Sequence, residues 1–275
     1  MKWGANTRIK RDYDVISNPA EYYEYYYKAL YNYQLNGLGL TPAQAMVEAN
    51  KQLLSPPNEG GLGYQIFTIP DGEYLIGADG HINPHATLGH VFNYNGKEYM
   101  VTPDNWERLG FRHGARKQYD ISLTGGSDKM QYYLSLGYLD NEGIAYNSDF
   151  NRITVRAKAD YEALKWLRVG TNVNFSRTKY HSITSDDNGL FYQINNMAPI
   201  YPAFIRDGAG NIMNDENGPM YDYGDGSLIG YARPILPNNN PLQENKLNTS
   251  SSKNNMYSFF GYADIMPIDG LKITL

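Results

Sequence analysis

The sequence predicts an all-β, mostly antiparallel fold: a partial transmembrane β-barrel with long extracellular loops containing short helices. Three observations point there. Segments of about ten residues alternate strictly between apolar and polar side chains, the mark of a strand with one apolar and one wet face. The links between these segments are short and long by turns, as in a barrel with short turns on one side of a membrane and long loops on the other. The 275-residue chain also holds 26 Tyr and 27 Gly, with Asn abundant throughout. Tyr suits strands and membrane–water interfaces, while Gly and Asn suit tight turns.

Taken in order, residues 2–11 are a weaker strand candidate. Asn18-Pro19-Ala20-Glu21 then opens a helix, with Asn at the N-cap, Pro at the first helical position and Glu at the third. That helix carries Tyr22, Tyr23, Tyr25, Tyr26, Tyr27, Tyr31 and Tyr33. Tyr23, Tyr27 and Leu30 share one face and form its packing stripe. With tyrosines on the other faces too, the helix is expected to lie against other loops. Thr41-Pro42-Ala43-Gln44 opens a second helix by the same logic, and Ser55-Pro56-Pro57 ends it.

Four clear strands follow. Residues 118–124 set Tyr119, Ile121 and Leu123 against Gln118, Asp120, Ser122 and Thr124. Residues 131–139 place Tyr132, Leu134, Leu136 and Tyr138 on one face. In 152–161, Ile153, Val155, Ala157, Ala159 and Tyr161 oppose Arg152, Thr154, Arg156, Lys158 and Asp160. In 167–175, Leu167, Val169, Val173 and Phe175 oppose Arg168, Gly170, Asn172 and Asn174. Residues 256–265 and 271–275 are weaker candidates.

The four clear strands are expected to form an antiparallel meander. Its links are a hairpin turn at 125–129, a longer link at 141–149 and a short one at 162–165. A very long link follows at 179–255, then a short one at Pro267-Ile268-Asp269-Gly270. Tyr132, Leu134, Leu136, Ile153, Val155, Val169 and Val173 are expected to share a lipid-facing surface. The opposite face carries Arg152, Arg156, Lys158 and Asp160, which a wet barrel lumen tolerates. The outer face of a soluble sandwich would tolerate them as well.

Composition narrows the function classes. Charged residues make up 19% and the net charge is −5, so no nucleic-acid partner is indicated. A mean hydropathy of −0.57, with no apolar run near ~20 residues, argues against membrane helices. There is no Cys, hence no disulfide or thiolate metal site. Met1-Lys2-Trp3-Gly4-Ala5-Asn6 has no apolar signal region, and Leu271-Lys272-Ile273-Thr274-Leu275 stops in mid-alternation. Either the protein is cytosolic or the chain is read as cut from a longer one.

Candidate chemistry is sparse. His81, His85 and His90 lie close in sequence but in turn-like surroundings, without an acidic or thiolate partner at a metal-site interval. Gly60-Gly61-Leu62-Gly63 and Gly125-Gly126-Ser127 lack the Lys-Ser/Thr of a phosphate loop and read as turns. Asp186-Asp187 and Asp215-Glu216 are adjacent acids on a loop, a poor arrangement for paired acid–base work. Asp207-Gly208-Ala209-Gly210-Asn211 resembles a calcium loop only loosely, lacking the Glu at the twelfth position. No Ser/His/Asp elbow is present. No catalytic, cofactor-binding or metal residue is therefore assigned, no cofactor is expected, and the chain is not expected to be an enzyme. The Tyr-, Asn-, Gly- and Pro-rich link at 179–255 suits sugar or peptide contact, or a structured loop packing on its neighbours; no ligand residue is singled out.

The run from Tyr119 through Gly125-Gly126-Ser127-Asp128-Lys129 and Tyr132-Tyr133-Leu134-Ser135-Leu136-Gly137-Tyr138 to Ile144 resembles the barrel hairpin of SusC/RagA-type TonB-linked outer-membrane proteins. Its continuation is similar too, in Ser148-Asp149-Phe150-Asn151-Arg152 and Trp166-Leu167-Arg168-Val169-Gly170-Thr171-Asn172-Val173. Asp104-Asn105-Trp106 and Asn18-Pro19-Ala20-Glu21-Tyr22-Tyr23 are similar to the family's early extracellular region, and Asn240-Pro241-Leu242 and Gly270-Leu271-Lys272 to its later strands.

The resemblance implies a TonB-dependent receptor in the cell outer membrane, with a 22-stranded barrel and an N-terminal plug. It implies import of oligosaccharides or peptides, in contact with membrane lipid and with a SusD-like surface lipoprotein, driven by the TonB complex. Residues 1–275 then read as part of the barrel domain, without signal peptide, plug or final strands. As a fragment it is expected to be inactive alone. Residues 19–54 and 179–255 are expected on the extracellular side. The alternative is a soluble or surface-exposed β-rich glycan-binding module.

Overall fold

The computed structural model describes residues 1–9, 15–183 and 189–275. It divides into two units: Met1–Ile9 with Phe111–Ile183 and Asn248–Leu275, and Lys10–Gly110 with Thr184–Leu247. The first unit is one seven-stranded antiparallel sheet. Its strands are β1 (Lys2–Asn6), β2 (Gly114–Gly126), β3 (Met130–Glu142), β4 (Asp149–Leu164), β5 (Leu167–Ser182), β6 (Ser250–Ile268) and β7 (Leu271–Thr274). They pair in chain order, so β1 and β7 are the sheet's edges.

Register follows the alternation read from the sequence. Ile121, Leu136, Val155, Phe175 and Tyr257 stand side by side across five strands, as do Leu123, Leu134, Ala157, Val173 and Phe259. One residue along, Ser122, Ser135, Arg156, Asn174 and Ser258 form a polar row on the other face. The short links 126–130, 164–167 and 268–271 lie at one end of the strands. The pairs Asn6–Gly114, Glu142–Asp149 and Ser182–Ser250 close the other end. The expected short–long alternation holds.

The five long strands all run past their expected limits, three of them by four residues or more at one end. β2 begins at Gly114, β5 continues to Ser182, and β6 begins at Ser250, shortening the long link to 183–249. Thr178, Lys179, Ser251 and Lys253 have no apolar alternation, because strand beyond a membrane needs no apolar face. The opening strand is shorter than read, ending at Asn6; residues 10 and 11 of that reading lie outside the described residues.

The second unit holds the hydrophobic core, in which Tyr23, Leu53, Tyr64, Ile66, Ile200 and Tyr201 are almost wholly buried. Helix α1 (Pro19–Asn32) starts where read: the Asn18 side chain accepts from the Ala20 N–H at 2.9 Å. Tyr23 and Tyr27 are buried, and Leu30 packs against the same core. A π-helical turn, Tyr33–Gly37, follows. Helix α2 (Pro42–Leu53) begins with a full capping box between Thr41 and Gln44. The unit also holds three short α-helices, α3 (Trp106–Gly110), α4 (Leu190–Asn196) and α5 (Pro241–Leu247), and several short strands.

Helices α3, α4 and α5 are too short to display a helical period, and Asn240-Pro241-Leu242, expected with the later strands, instead opens α5. The sequence reading also missed the hairpin of His90–Tyr94 with Lys97–Val101. Asn95 and Gly96 form its turn with φ of 51° and 78°, the left-handed backbone that Asn-Gly accepts most readily. That dipeptide was the available signal.

Candidate functional site

The sheet offers two surfaces of opposite character. On one, Tyr132, Leu134, Leu136, Ile153, Val169 and Val173 are exposed as expected, while Val155 is half-buried. Ile121 is 72% exposed and Tyr257 and Phe259 75%. A continuous apolar face of this extent is far outside what a water-soluble monomer leaves open, and hydrocarbon is the solvent that suits it. Aromatic rings bound the face at both ends. Trp3, Tyr119 and Tyr138 stand in an edge-and-stack series, 6.2 and 6.4 Å between centroids, toward the long links. Tyr132 and Tyr161 stand toward the short turns. Such girdles sit at membrane–water interfaces.

The other face is polar and partly ionic. Lys158 pairs with Asp160 at 3.2 Å and Lys272 with Asp264 at 2.7 Å. Tyr262 reaches across β5 so that its hydroxyl donates to Asp160. It can do so because the residue beneath is Gly170: a Cβ there would stand 2.2 Å from the Tyr262 ring. Charges and amides on this scale need water or further protein beside them, as a barrel lumen provides.

In the second unit a groove of about 700 Å³ lies between α1, α2 and the turn 78–81. Glu21, Glu24, Tyr25, Lys28 and Tyr31 recur at helical spacing along one side of α1 and line it. Tyr31 stacks on the buried Tyr27, their centroids 6.0 Å apart. Glu24 secures the opposite wall, accepting from the Ile82 N–H at 2.9 Å and meeting His81 Nδ1 at 3.2 Å. Asp79 Oδ1 accepts from the His81 N–H at 3.1 Å, fixing the turn. The volume is that of a small-molecule or short-peptide site.

The residues weighed from sequence lie as follows. His81 meets Glu24, His85 meets Glu73 at 3.2 Å, and His90 stacks on Phe92 at 6.0 Å. The three do not converge, and burial pushes the His90 imidazole below its ordinary value. Among the described residues no cluster of His, Asp or Glu is arranged for a metal ion. Asp207 Oδ1 accepts from the Ala209 and Asn211 N–H groups, which hold its carboxyl below the usual range and close a simple turn. Asp215 Oδ1 accepts from the Asn217 N–H at 2.7 Å, closing another turn. Gly61 is fixed by packing, since a Cβ would stand 2.1 Å from the Ser55 carbonyl oxygen. Asp186 and Asp187 lie outside the described residues.

Several flanking motifs of the resemblance prove to be ties within the second unit. Asp104 takes a two-pronged ion pair from Arg206, at 2.6 and 3.0 Å, and accepts from the Ala203 N–H. Asn105 caps the Arg108 N–H at 2.9 Å, and Trp106 Nε1 donates to the Tyr201 carbonyl at 2.9 Å. Asn240, fully buried, donates to the carbonyls of Ala203 and Asp222 and accepts from the Leu242 N–H. Apart from the local bonds to Arg108 and Leu242, these partners lie from 18 to 102 residues away in the chain, beyond the reach of any local sequence pattern.

No protein-family model matches the chain. It is 26% identical over 158 residues to TonB-dependent receptor P39 of Formosa agariphila, covering 58% of this chain and 13% of that one. TonB-dependent receptors P3 and P26 of the same organism are 27% and 29% identical over 143 and 150 residues, or 51% and 54% of this chain. The chain thus spans only 13–14% of the length of these relatives. Solved structures of the RagAB peptide transporter and of the RagAB peptide importer in its closed-closed state are 26% and 25% identical to it. They cover 62% and 66% of this chain and 18% and 19% of their own, with TM-scores of 0.46 and 0.47. The relatives are receptors by name, not enzymes. In sequence the chain is thus similar to a stretch of TonB-dependent receptors, and its antiparallel sheet with an apolar, aromatic-girdled face is of the kind that an outer-membrane β-barrel uses.

Proposed function

We propose that this chain supplies wall strands and outer loops to a SusC/RagA-type receptor that imports oligosaccharides or peptides across the outer membrane. The carrying observation is the sheet itself: one apolar, girdled face for lipid and one polar face for a lumen. Residues 1–275 are read as part of the barrel domain. Both insertions of the second unit leave from the same end of the strands as the Glu142–Asp149 link, which in such barrels is the extracellular end. A SusD-like lipoprotein would meet the receptor there, and the TonB complex would act from the periplasmic side. The exposed apolar face weighs against a soluble glycan-binding module, which would have to cover it.

Residues 1–275 hold no Cys, so with any cysteine elsewhere in the receptor replaced by Ser the orientation is testable. Single cysteines at Tyr25, Asp215 and Ser127 in the receptor, displayed on intact cells, are treated with a membrane-impermeant maleimide. The first two should react and Ser127 should not. Labelling at Ser127 with the other two silent would reverse the orientation and defeat the reading.

A further inference from the structure

We infer that the groove between α1, α2 and the turn 78–81 binds a cationic peptide side chain, Lys or Arg, of a ligand reaching the outer loops. The inference rests on the reading that this unit faces the outside. It goes further in naming the place and the ligand class. Glu21, Glu24 and Asp79 bring three carboxylates to the groove against Lys28 and the His81 imidazole that meets Glu24. Two of these acids are tied to the far wall, Glu24 through Ile82 and His81, and Asp79 through the His81 N–H. They are therefore held in place before any ligand arrives. Glu21 and Tyr25, one turn apart on α1, are both exposed, Tyr25 to 57%.

A tyrosine face beside fixed carboxylates is the arrangement that draws an ammonium or guanidinium group, by attraction to the ring and by charge. A neutral sugar would gain from the rings but would leave the excess negative charge unused. An acidic peptide would be repelled. At about 700 Å³ the groove has room for a basic side chain with its flanking backbone.

The test uses the receptor at its full natural length, purified in detergent, with calorimetric titration of tri-lysine, tri-glutamate and maltotriose. Tri-lysine should bind, with affinity falling as salt rises, and the other two should bind at least ~10-fold more weakly. Glu21→Gln and Tyr25→Ala, both on exposed positions that leave the core untouched, should each weaken tri-lysine binding by roughly 3- to 10-fold. Lys28→Gln should strengthen it. Tri-lysine binding indifferent to all three substitutions, absent altogether, or matched by maltotriose would overturn the proposal. Uptake by intact cells is scored separately. Loss of groove binding with import intact refutes the groove alone, while absence of any energy-dependent import refutes the transport reading and leaves the binding result to stand on its own.

Discussion

At the residue scale, two positions show what local chemistry is asked to hold. Gly170 has an ordinary strand register, yet Tyr262 lies where its Cβ would be. Gly170→Ala should force the ring off Asp160 and cost about 1–3 kcal/mol, a typical overpacking penalty. Adding Tyr262→Ala should recover much of that loss, so the two changes will not add. Urea unfolding of the receptor in lipid vesicles measures both.

Asp222 is 3% exposed, and burial pushes its carboxyl above the ordinary range despite the Tyr64 hydroxyl at 2.6 Å and the Arg233 charge, which pull it down. Folded protein then holds this proton more tightly than unfolded chain does. Stability from this group is full below the ordinary carboxylate pKa and is lost as pH rises through the raised folded value. In Asp222→Asn that downward slope should disappear, since an amide can still accept from the Gly224 N–H and donate to Tyr64. The urea midpoint of the receptor against pH, followed by Trp106 fluorescence with every other Trp, including Trp3 and Trp166, replaced by Phe, reports it. An unchanged slope would assign the effect to another group.

At the element scale, a strand's two faces make opposite demands although their residues alternate. Leu136 and Ser135 are chain neighbours, one on the exposed apolar face and one in the polar row beside Arg156. Leu136→Arg should cost ~2–4 kcal/mol in a bilayer, as charge on a lipid face does, and Ser135→Arg much less. Folding into vesicles against urea separates them; equal penalties would mean that the faces have been assigned wrongly. The strands were legible because lipid and lumen enforce strict alternation. Their outer ends were not, because Lys179 and Ser251 lie past the level at which that constraint acts. The helix starts at Asn18 and Thr41 were legible because a cap is a local device.

At the scale of the whole molecule, seven strands in chain order leave β1 and β7 as open edges. An unpaired edge in hydrocarbon strands N–H and C=O groups at several kcal/mol each, so this sheet requires further strands to persist in a bilayer. Residues 1–275 exported behind a signal peptide, in cells lacking the native receptor, should give no energy-dependent uptake of oligosaccharide or peptide. They should also show no heat-modifiable migration on gels, while the full receptor gives both. Uptake by these residues alone would show the chain to be self-sufficient.

What the sequence determined by itself is what repeats at short range. The period of two fixed the strands and their faces, the turn residues fixed the short links, and the caps fixed two helices. The central hairpin carried the resemblance to TonB-linked receptors that the sequence relatives share. Only the tertiary structure decided what the long insertions do. Asp104 meeting Arg206, Tyr64 meeting Asp222, Asn240 joining two distant carbonyls, and Glu24 bracing the turn at His81 are pairings across tens of residues. No local pattern encodes such pairs. Each depends on burial that makes an unpartnered polar group costly, and that burial exists only once the chain has folded.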